Sequence, residues 1–343
     1  MDPAEIRLLA AGTALPGPPI DNAALGRRFG MDALWEQWVD AFIGTRTRHL
    51  ALDLESGEQR DTLADLGTTA GARALAAAGT DPADIDLVVL GTATPDTLMP
   101  ATVNVVADRL GIDDVATYQL QSGCSGAVQA IDVARQLLST GRHRTALVLG
   151  GDVIAKHYDL EADLRAVPPA ELVNYVLFGD AAGAAVLSAD PAAGPTAVRA
   201  SFVQLSGRGR APGQVLEWFG PVDRHSDRSS AREDYKAIEE TVPLFAEQIL
   251  HRLLAETGWR EDEVTHLLPP QLSTRMTARI VERLGLEHAE EISCVGETAN
   301  TGNALVFFQL EQVLPELAPG DRAAAIAVES SKWIKSGFAL ERV

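Results

Sequence analysis

Apolar and polar positions along the chain follow two alternating regimes. Short, nearly unbroken apolar runs read as buried strands: Leu87-Val88-Val89-Leu90 after Asp86, residues 117–120, and Ala146-Leu147-Val148-Leu149. Between them, 101–110 and 124–138 carry helical spacing. In the second of these, Ala127, Val128, Ile131, Ala134, Leu137 and Leu138 spread over wide faces, which predicts a helix buried on most sides. Strand and helix in alternation predict an α/β fold with much parallel sheet.

The same order of elements occurs twice. Ala78-Gly79-Thr80 leads through Asp84-Ile85-Asp86 into an apolar run, and Thr257-Gly258-Trp259 leads through Glu263-Val264-Thr265 into another. Each is followed by a helix with a similar end, Asp108-Arg109-Leu110-Gly111-Ile112 and Glu282-Arg283-Leu284-Gly285-Leu286. Next, Cys124-Ser125-Gly126 opens a helix ending Gln136-Leu137-Leu138, and Asn300-Thr301-Gly302 opens one ending Gln312-Val313-Leu314. Three matched blocks in one order imply two related α/β halves, expected at 1–192 and 193–343 with a connection near Asp190-Pro191. The stretch 206–232, rich in glycine and charge, is expected to form loops.

Composition narrows the class. The 343 residues are 46% hydrophobic and 22% charged, which is globular and excludes disorder as the main state. The net charge of −19 makes nucleic acid and anionic membranes unfavourable partners. No apolar run approaches the ~20 residues of a membrane span, and no signal peptide is read at the N-terminus. Two cysteines, Cys124 and Cys294, are too few for a disulfide framework or a zinc site. A cytoplasmic protein without metal or cofactor is expected.

Cys124 lies in Gly123-Cys124-Ser125-Gly126, between a strand and a helix. The glycines allow a tight turn and close approach of a substrate. A helix start favours thiolate, so a nucleophile and a small buried core residue are both open readings. The repeat places Asn300 at the equivalent position, where it serves either one shared cleft or helix capping alone.

Together with other motifs, these residues carry a resemblance. Gly44-Thr45-Arg46-Thr47-Arg48-His49 after Trp38, Thr94-Pro95 with Met99-Pro100, Gly123-Cys124-Ser125-Gly126, Phe178-Gly179-Asp180-Ala181-Ala182-Gly183-Ala184, Pro269-Pro270-Gln271 and Ala299-Asn300-Thr301 span nearly the whole chain. The chain resembles the thiolase superfamily, and within it the β-ketoacyl-acyl-carrier-protein synthase III group. The resemblance implies a five-layered αβαβα fold of two pseudo-twofold halves, a homodimer, an acyl-cysteine intermediate and, in condensing members, a Cys-His-Asn triad.

The departures from that pattern are informative. Pro270 stands where the family has its catalytic histidine, and proline has no ring nitrogen to stabilise developing charge. Losing one such donor costs ~3–4 kcal/mol of barrier, which disfavours decarboxylative condensation. Glu329, in Glu329-Ser330-Ser331-Lys332, replaces a glycine-rich loop. It reads either as a base or orienter or as a carboxylate paired with Lys332. The histidines offer no clear substitute: His49, His143, His251 and His288 look like surface positions, His266 lies in a strand, and His157 and His225 fall in expected loops from which either could reach the cleft.

The resemblance also bears on the donor. Trp38 matches a tryptophan that lies against adenine, while Phe42 replaces a stacking arginine, which favours a carrier-protein donor over CoA. Arg275 matches a basic contact to the carrier protein, with Arg279 one turn away and Arg208 and Arg210 as possible extensions. Met99 matches the residue that a partner subunit contributes to the acyl pocket. The reading is an acyltransferase. It moves an acyl group from a carrier-protein or CoA thioester, through acyl-Cys124, to a hydroxyl, amine or carrier-protein thiol of natural-product assembly, without forming a carbon–carbon bond. The alternatives are a condensing enzyme with an altered triad and a non-catalytic partner subunit of a heteromeric synthase.

Overall fold

The structure is a computed structural model that describes residues 5–167, 172–218 and 231–343. His225 and part of the expected loop 206–232 lie outside the described residues. The strands are β1 (Arg7–Ala14), β2 (Ile20–Asp21), β3 (Thr47–Arg48), β4 (Leu87–Thr92), β5 (Ala116–Gln121), β6 (Thr145–Asp152), β7 (Ala181–Ser188), β8 (Thr196–Leu205), β9 (Gln214–Leu216), β10 (Ala231–Glu233), β11 (His266–Leu268), β12 (Glu290–Glu291), β13 (Arg322–Glu329) and β14 (Ile334–Arg342). The helices are α1 (Asn22–Arg28), α2 (Ala33–Phe42), α3 (Leu63–Ala78), α4 (Thr102–Arg109), α5 (Gly126–Ser139), α6 (Asn174–Leu177), α7 (Tyr235–Thr257), α8 (Thr274–Leu284), α9 (Val295–Thr298) and α10 (Leu305–Glu316).

Ten strands form one sheet in the order β12-β11-β13-β14-β8-β1-β7-β6-β4-β5. Read outward from the middle, both arms repeat one plan. β4 lies parallel between β5 and β6 as β11 lies parallel between β12 and β13, and an antiparallel strand, β7 or β14, follows in each. The arms meet where β1 and β8 pair at Arg7 and Ala197. The parallel sheet expected from the sequence is thus confined to the outer three strands of each arm, with antiparallel pairing at the centre.

Burial explains the apolar runs. Along β6, Ala146 and Val148 face one core, which holds α5 and α10 through Ile131, Ala134, Phe307 and Leu310. Leu147 and Leu149 face another, beneath α3 and α4. The second arm behaves alike: Ala323 and Ala325 point to the central helices, and Ala324 and Ile326 point to α7 and α8. A strand covered on both faces has no polar face to alternate with, so its sequence reads as an unbroken apolar run. Helix, one arm of the sheet, central helices, the other arm and helix make the five layers that the resemblance implies, in two pseudo-twofold related halves.

The central helices start close to the sheet. A Cβ on Gly91 would come within 2.3 Å of the Gly126 carbonyl oxygen, so β4 and α5 approach where only glycine fits. The expected loop between 206 and 232 holds a short antiparallel hairpin of β9 and β10, with Gln214 opposite Glu233.

Candidate active site

Cys124 sits in the turn between β5 and α5, two residues before the first helical residue. Ser122 N–H donates to the Thr92 carbonyl and Gly126 N–H to the Gly123 carbonyl, which closes the turn. Ser125, at the N-cap of α5, makes no side-chain capping bond. Instead Asn303, from the second half, accepts the Ala127 N–H on its Oδ1 at 3.0 Å and donates through Nδ2 to the Ser122 carbonyl at 3.1 Å and to Asp152 at 2.9 Å. Asp152 is buried and also accepts from the Thr92 and Thr94 hydroxyls, Ala93 N–H and Asn303 N–H. The turn of Cys124 is therefore clasped from across the molecule.

The ionisation of Cys124 runs against the sequence-based expectation. Burial pushes its thiol up to about 12, with further upward pushes from Glu329, Asp152 and Glu233. The start of a helix favours thiolate, but here it is outweighed by desolvation and three carboxylates, and the resting group is a thiol.

Asn300 follows Ala299, a buried residue with φ 61° and ψ −171°, a conformation that residues other than glycine adopt at a cost of about 1–3 kcal/mol. Asn300 Oδ1 accepts the Gly302 N–H at 3.0 Å, a local turn bond just before the helical start, whose own N-cap, Thr301, makes no side-chain capping bond. The Asn300 side chain borders two small hollows that Cys124 also borders. One, of about 40 Å³, is walled by Pro269, Pro270 and Gln271. Pro270 thus stands beside Cys124 and Asn300 and offers no donor. Gln271 is anchored away, its Oε1 accepting Cys294 N–H and Val295 N–H at 2.8 Å.

Glu329 ends β13 and borders the main cavity, about 290 Å³, together with Cys124. Its Oε2 accepts the Ser122 hydroxyl at 2.5 Å and the Ser125 hydroxyl at 2.7 Å, and its Oε1 accepts the Ser331 hydroxyl. Lys332 donates to the Arg210 carbonyl instead, so the ion pair weighed for Glu329 does not form.

Other predicted residues separate. Trp38, Phe42 and Arg275 border an outer hollow of about 690 Å³. Phe42 is exposed, 6.2 Å from the Trp38 ring, and the Arg275 guanidinium lies 6.0 Å from the Phe42 ring. The basic patch expected there is smaller than its sequence: Arg279 pairs with Glu239 on α7, and Arg210 covers the Phe245 and Trp333 rings. Met99 is 87% exposed and borders none of the hollows around Cys124 in its own chain.

Two wall residues, Gln214 and Glu233, escape sequence reasoning, and His157, one of the two histidines expected within reach of the cleft, joins them. His157 borders the main cavity, and burial with Lys156 beside it pushes it down to about 4, so it is neutral. Gln214 borders the main cavity and one small hollow, and Glu233 borders that hollow. His157 lies in a short 3-10 turn, and Gln214 and Glu233 on two paired three-residue strands, none of which has a periodic signature.

Two family models match the chain: 3-oxoacyl-[acyl-carrier-protein (ACP)] synthase III over residues 118–204, and its C-terminal counterpart over residues 254–330. The β-ketoacyl-[acyl-carrier-protein] synthase III of Sphingopyxis alaskensis is 32% identical over 304 residues, 89% of this chain and 88% of that protein. The solved structure of AbyA1, a tetronic acid condensing enzyme, is 65% identical with a TM-score of 0.95, over 98% of this chain and 99% of that one. The priming β-ketosynthase of the R1128 polyketide biosynthetic pathway is 25% identical with a TM-score of 0.84, over 98% and 96% of the two chains. Aligned along nearly its whole length with such relatives, and built on the same five layers, the chain belongs to the β-ketoacyl-acyl-carrier-protein synthase III family of the thiolase superfamily.

Proposed function

We propose that this chain is an acyltransferase of natural-product biosynthesis that works through acyl-Cys124 without decarboxylation. One observation carries the reading: Cys124 and Asn300 border the same hollows, while the wall beside them is Pro270, without a donor. The thiol attacks a carrier-protein or CoA thioester, backbone N–H groups at the start of α5 hold the oxyanion, and Asn300 orients the thioester. The outer hollow, with Trp38 and Arg275, receives the donor, and Tyr235 borders both that hollow and the one at Cys124. Glu329 acts on the acceptor side, in the main cavity. The halves 1–192 and 193–343 each supply one central helix start. A cytoplasmic homodimer completes the reading. β5 is an edge strand with Tyr118 exposed, and Leu98 and Met99 stand out nearby, ready to enter a partner's pocket.

A second reading draws on AbyA1. A tetronic acid is a five-membered enol lactone, and closing one from two acyl units forms one C–C and one C–O bond. A carbon flanked by two carbonyls gives up its proton without losing carbon dioxide, so Pro270 does not oppose such an acceptor. A non-catalytic subunit would not need Cys124.

Intact-protein mass spectrometry tests the proposal. Wild type and Cys124→Ala are mixed with malonyl, short alkyl and aryl carrier-protein thioesters. Acylation of wild type alone, with malonyl intact, is expected. Transfer that persists in Cys124→Ala sinks the proposal, and an acceptor product with a new C–C bond selects the second reading.

A further inference from the structure

A thiol that attacks a thioester must lose its proton, and at Cys124 that proton is held tightly. Pro270 cannot take it. Of the three carboxylates that act on the thiol, Asp152 is taken up by the Thr92 and Thr94 hydroxyls, Ala93 N–H and Asn303, and Glu329 and Glu233 differ in their freedom to do so. Glu329 already accepts three hydroxyl bonds, shared between both of its oxygens. Neither of its oxygens is without a donor already in place.

Glu233 is placed otherwise. It lies on β10, opposite Gln214 in the hairpin, and accepts the Gln214 Nε2–H on Oε1 at 2.5 Å. Its second oxygen has no partner among the described residues. Glu233 borders the hollow of about 20 Å³ that also meets Cys124, Asn300 and Tyr235. Tyr235 borders the outer hollow as well, so Glu233 stands on the route between Cys124 and the site proposed for the donor.

We propose that Glu233 is the base of the loading step, taking the Cys124 proton and returning it to the departing pantetheine thiol. The inference rests on the reading of Cys124 as the acyl carrier. As the bond from Sγ to the acyl carbon forms, the donor's C–S bond breaks. The proton passes from Sγ to the Glu233 carboxylate and then to the leaving sulfur, and Glu233 ends the step as it began. Burial pushes Glu233 up to about 7, which suits proton exchange near neutrality. The titratable groups facing this hollow are Cys124 and Tyr235, with Glu239 and Arg279 behind Tyr235. Gln214 is the neutral contact.

The test compares wild type, Glu233→Gln and Glu233→Asp in two reactions of Cys124. One is acyl loading from the donor that labels wild type, by quenched-flow mass spectrometry. The other is alkylation by iodoacetamide, followed at the Cys124 peptide. Glu233→Gln is expected to load about 100-fold more slowly at pH 7 and to lose the rise in loading rate centred near pH 7. Glu233→Asp recovers part of the rate. Alkylation of Glu233→Gln is expected to be faster than wild type, because a negative charge near the thiol is gone. Local opening would also bare the thiol and speed alkylation, so the base role is read from the partial rescue by Glu233→Asp together with the loss of the rise near pH 7, which opening does not give. Wild-type loading and pH profile in Glu233→Gln overturn the proposal, as does a parallel fall in both reactions. If wild type takes no acyl group from any donor, the acyl-transfer reading falls and this role with it. Alkylation unchanged by Glu233→Gln, with loading intact in wild type, removes Glu233 alone.

Discussion

The ionisation of Cys124 can be tested without any substrate. An ordinary cysteine titrates near 8.5, so at pH 8 about a quarter of it is thiolate. Cys124 is pushed up to about 12, which leaves about one part in 10⁴ as thiolate at pH 8. Iodoacetamide alkylates the thiolate, so Cys124 is expected to react ~10³-fold more slowly than free cysteine at that pH. The cost of ionisation behind this is about 4–5 kcal/mol, at 1.36 kcal/mol per pH unit. Desolvation is the largest cause, followed by the charge of Glu329. The assay follows mass gain on the Cys124 peptide between pH 7 and 11, with Cys294 separated by peptide mapping. The rate should rise tenfold per pH unit throughout that range, and Glu329→Gln should raise it at every pH. A plateau with a midpoint at or below pH 8 would refute the reasoning, and would mean that the helix start governs the thiol after all.

Two substitutions probe the surrounding frame. Pro270→His returns a donor to the hollow beside Cys124 and Asn300, and is expected to raise decarboxylation of a malonyl thioester at least tenfold, within the ~3–4 kcal/mol that such a donor supplies; carbon dioxide release measures it. Asn303→Ala removes the acceptor for the Ala127 N–H and the donor to the Ser122 carbonyl and Asp152. Buried groups left unpaired cost about 1–3 kcal/mol each, so chemical denaturation should report a loss of about 3 kcal/mol or more, with Cys124 loading impaired.

Much of the fold was legible because burial on both faces leaves continuous apolar runs, and because the chain repeats its own order of elements. Cys124, Asn300 and Pro270 were legible because a glycine-framed turn or a motif position marks each, and all three border one hollow. What failed depends on contacts between distant segments. The start of α5 suggests a thiolate, but carboxylates from β6, β10 and β13 decide otherwise. Arg279 looked free until Glu239 came alongside from α7. Glu329 looked like a partner for Lys332, its near neighbour, yet it turned to hydroxyls on the far side of the turn. Glu233 has no local mark, since its place is set by a hairpin of two three-residue strands.

The clasp made by Asn303 makes the two halves of a repeated plan unequal. The offset of 176 that pairs Asn300 with Cys124 also pairs Asn303 with Ala127, the residue whose N–H it accepts. The side chain of one copy therefore reaches over the pseudo-axis to the backbone of its own counterpart. Such a contact cannot be made in both directions at once, because two long side chains would meet where Ala127 now leaves room. The half with the small residue receives the cap beside Cys124, and the half with the amide gives it.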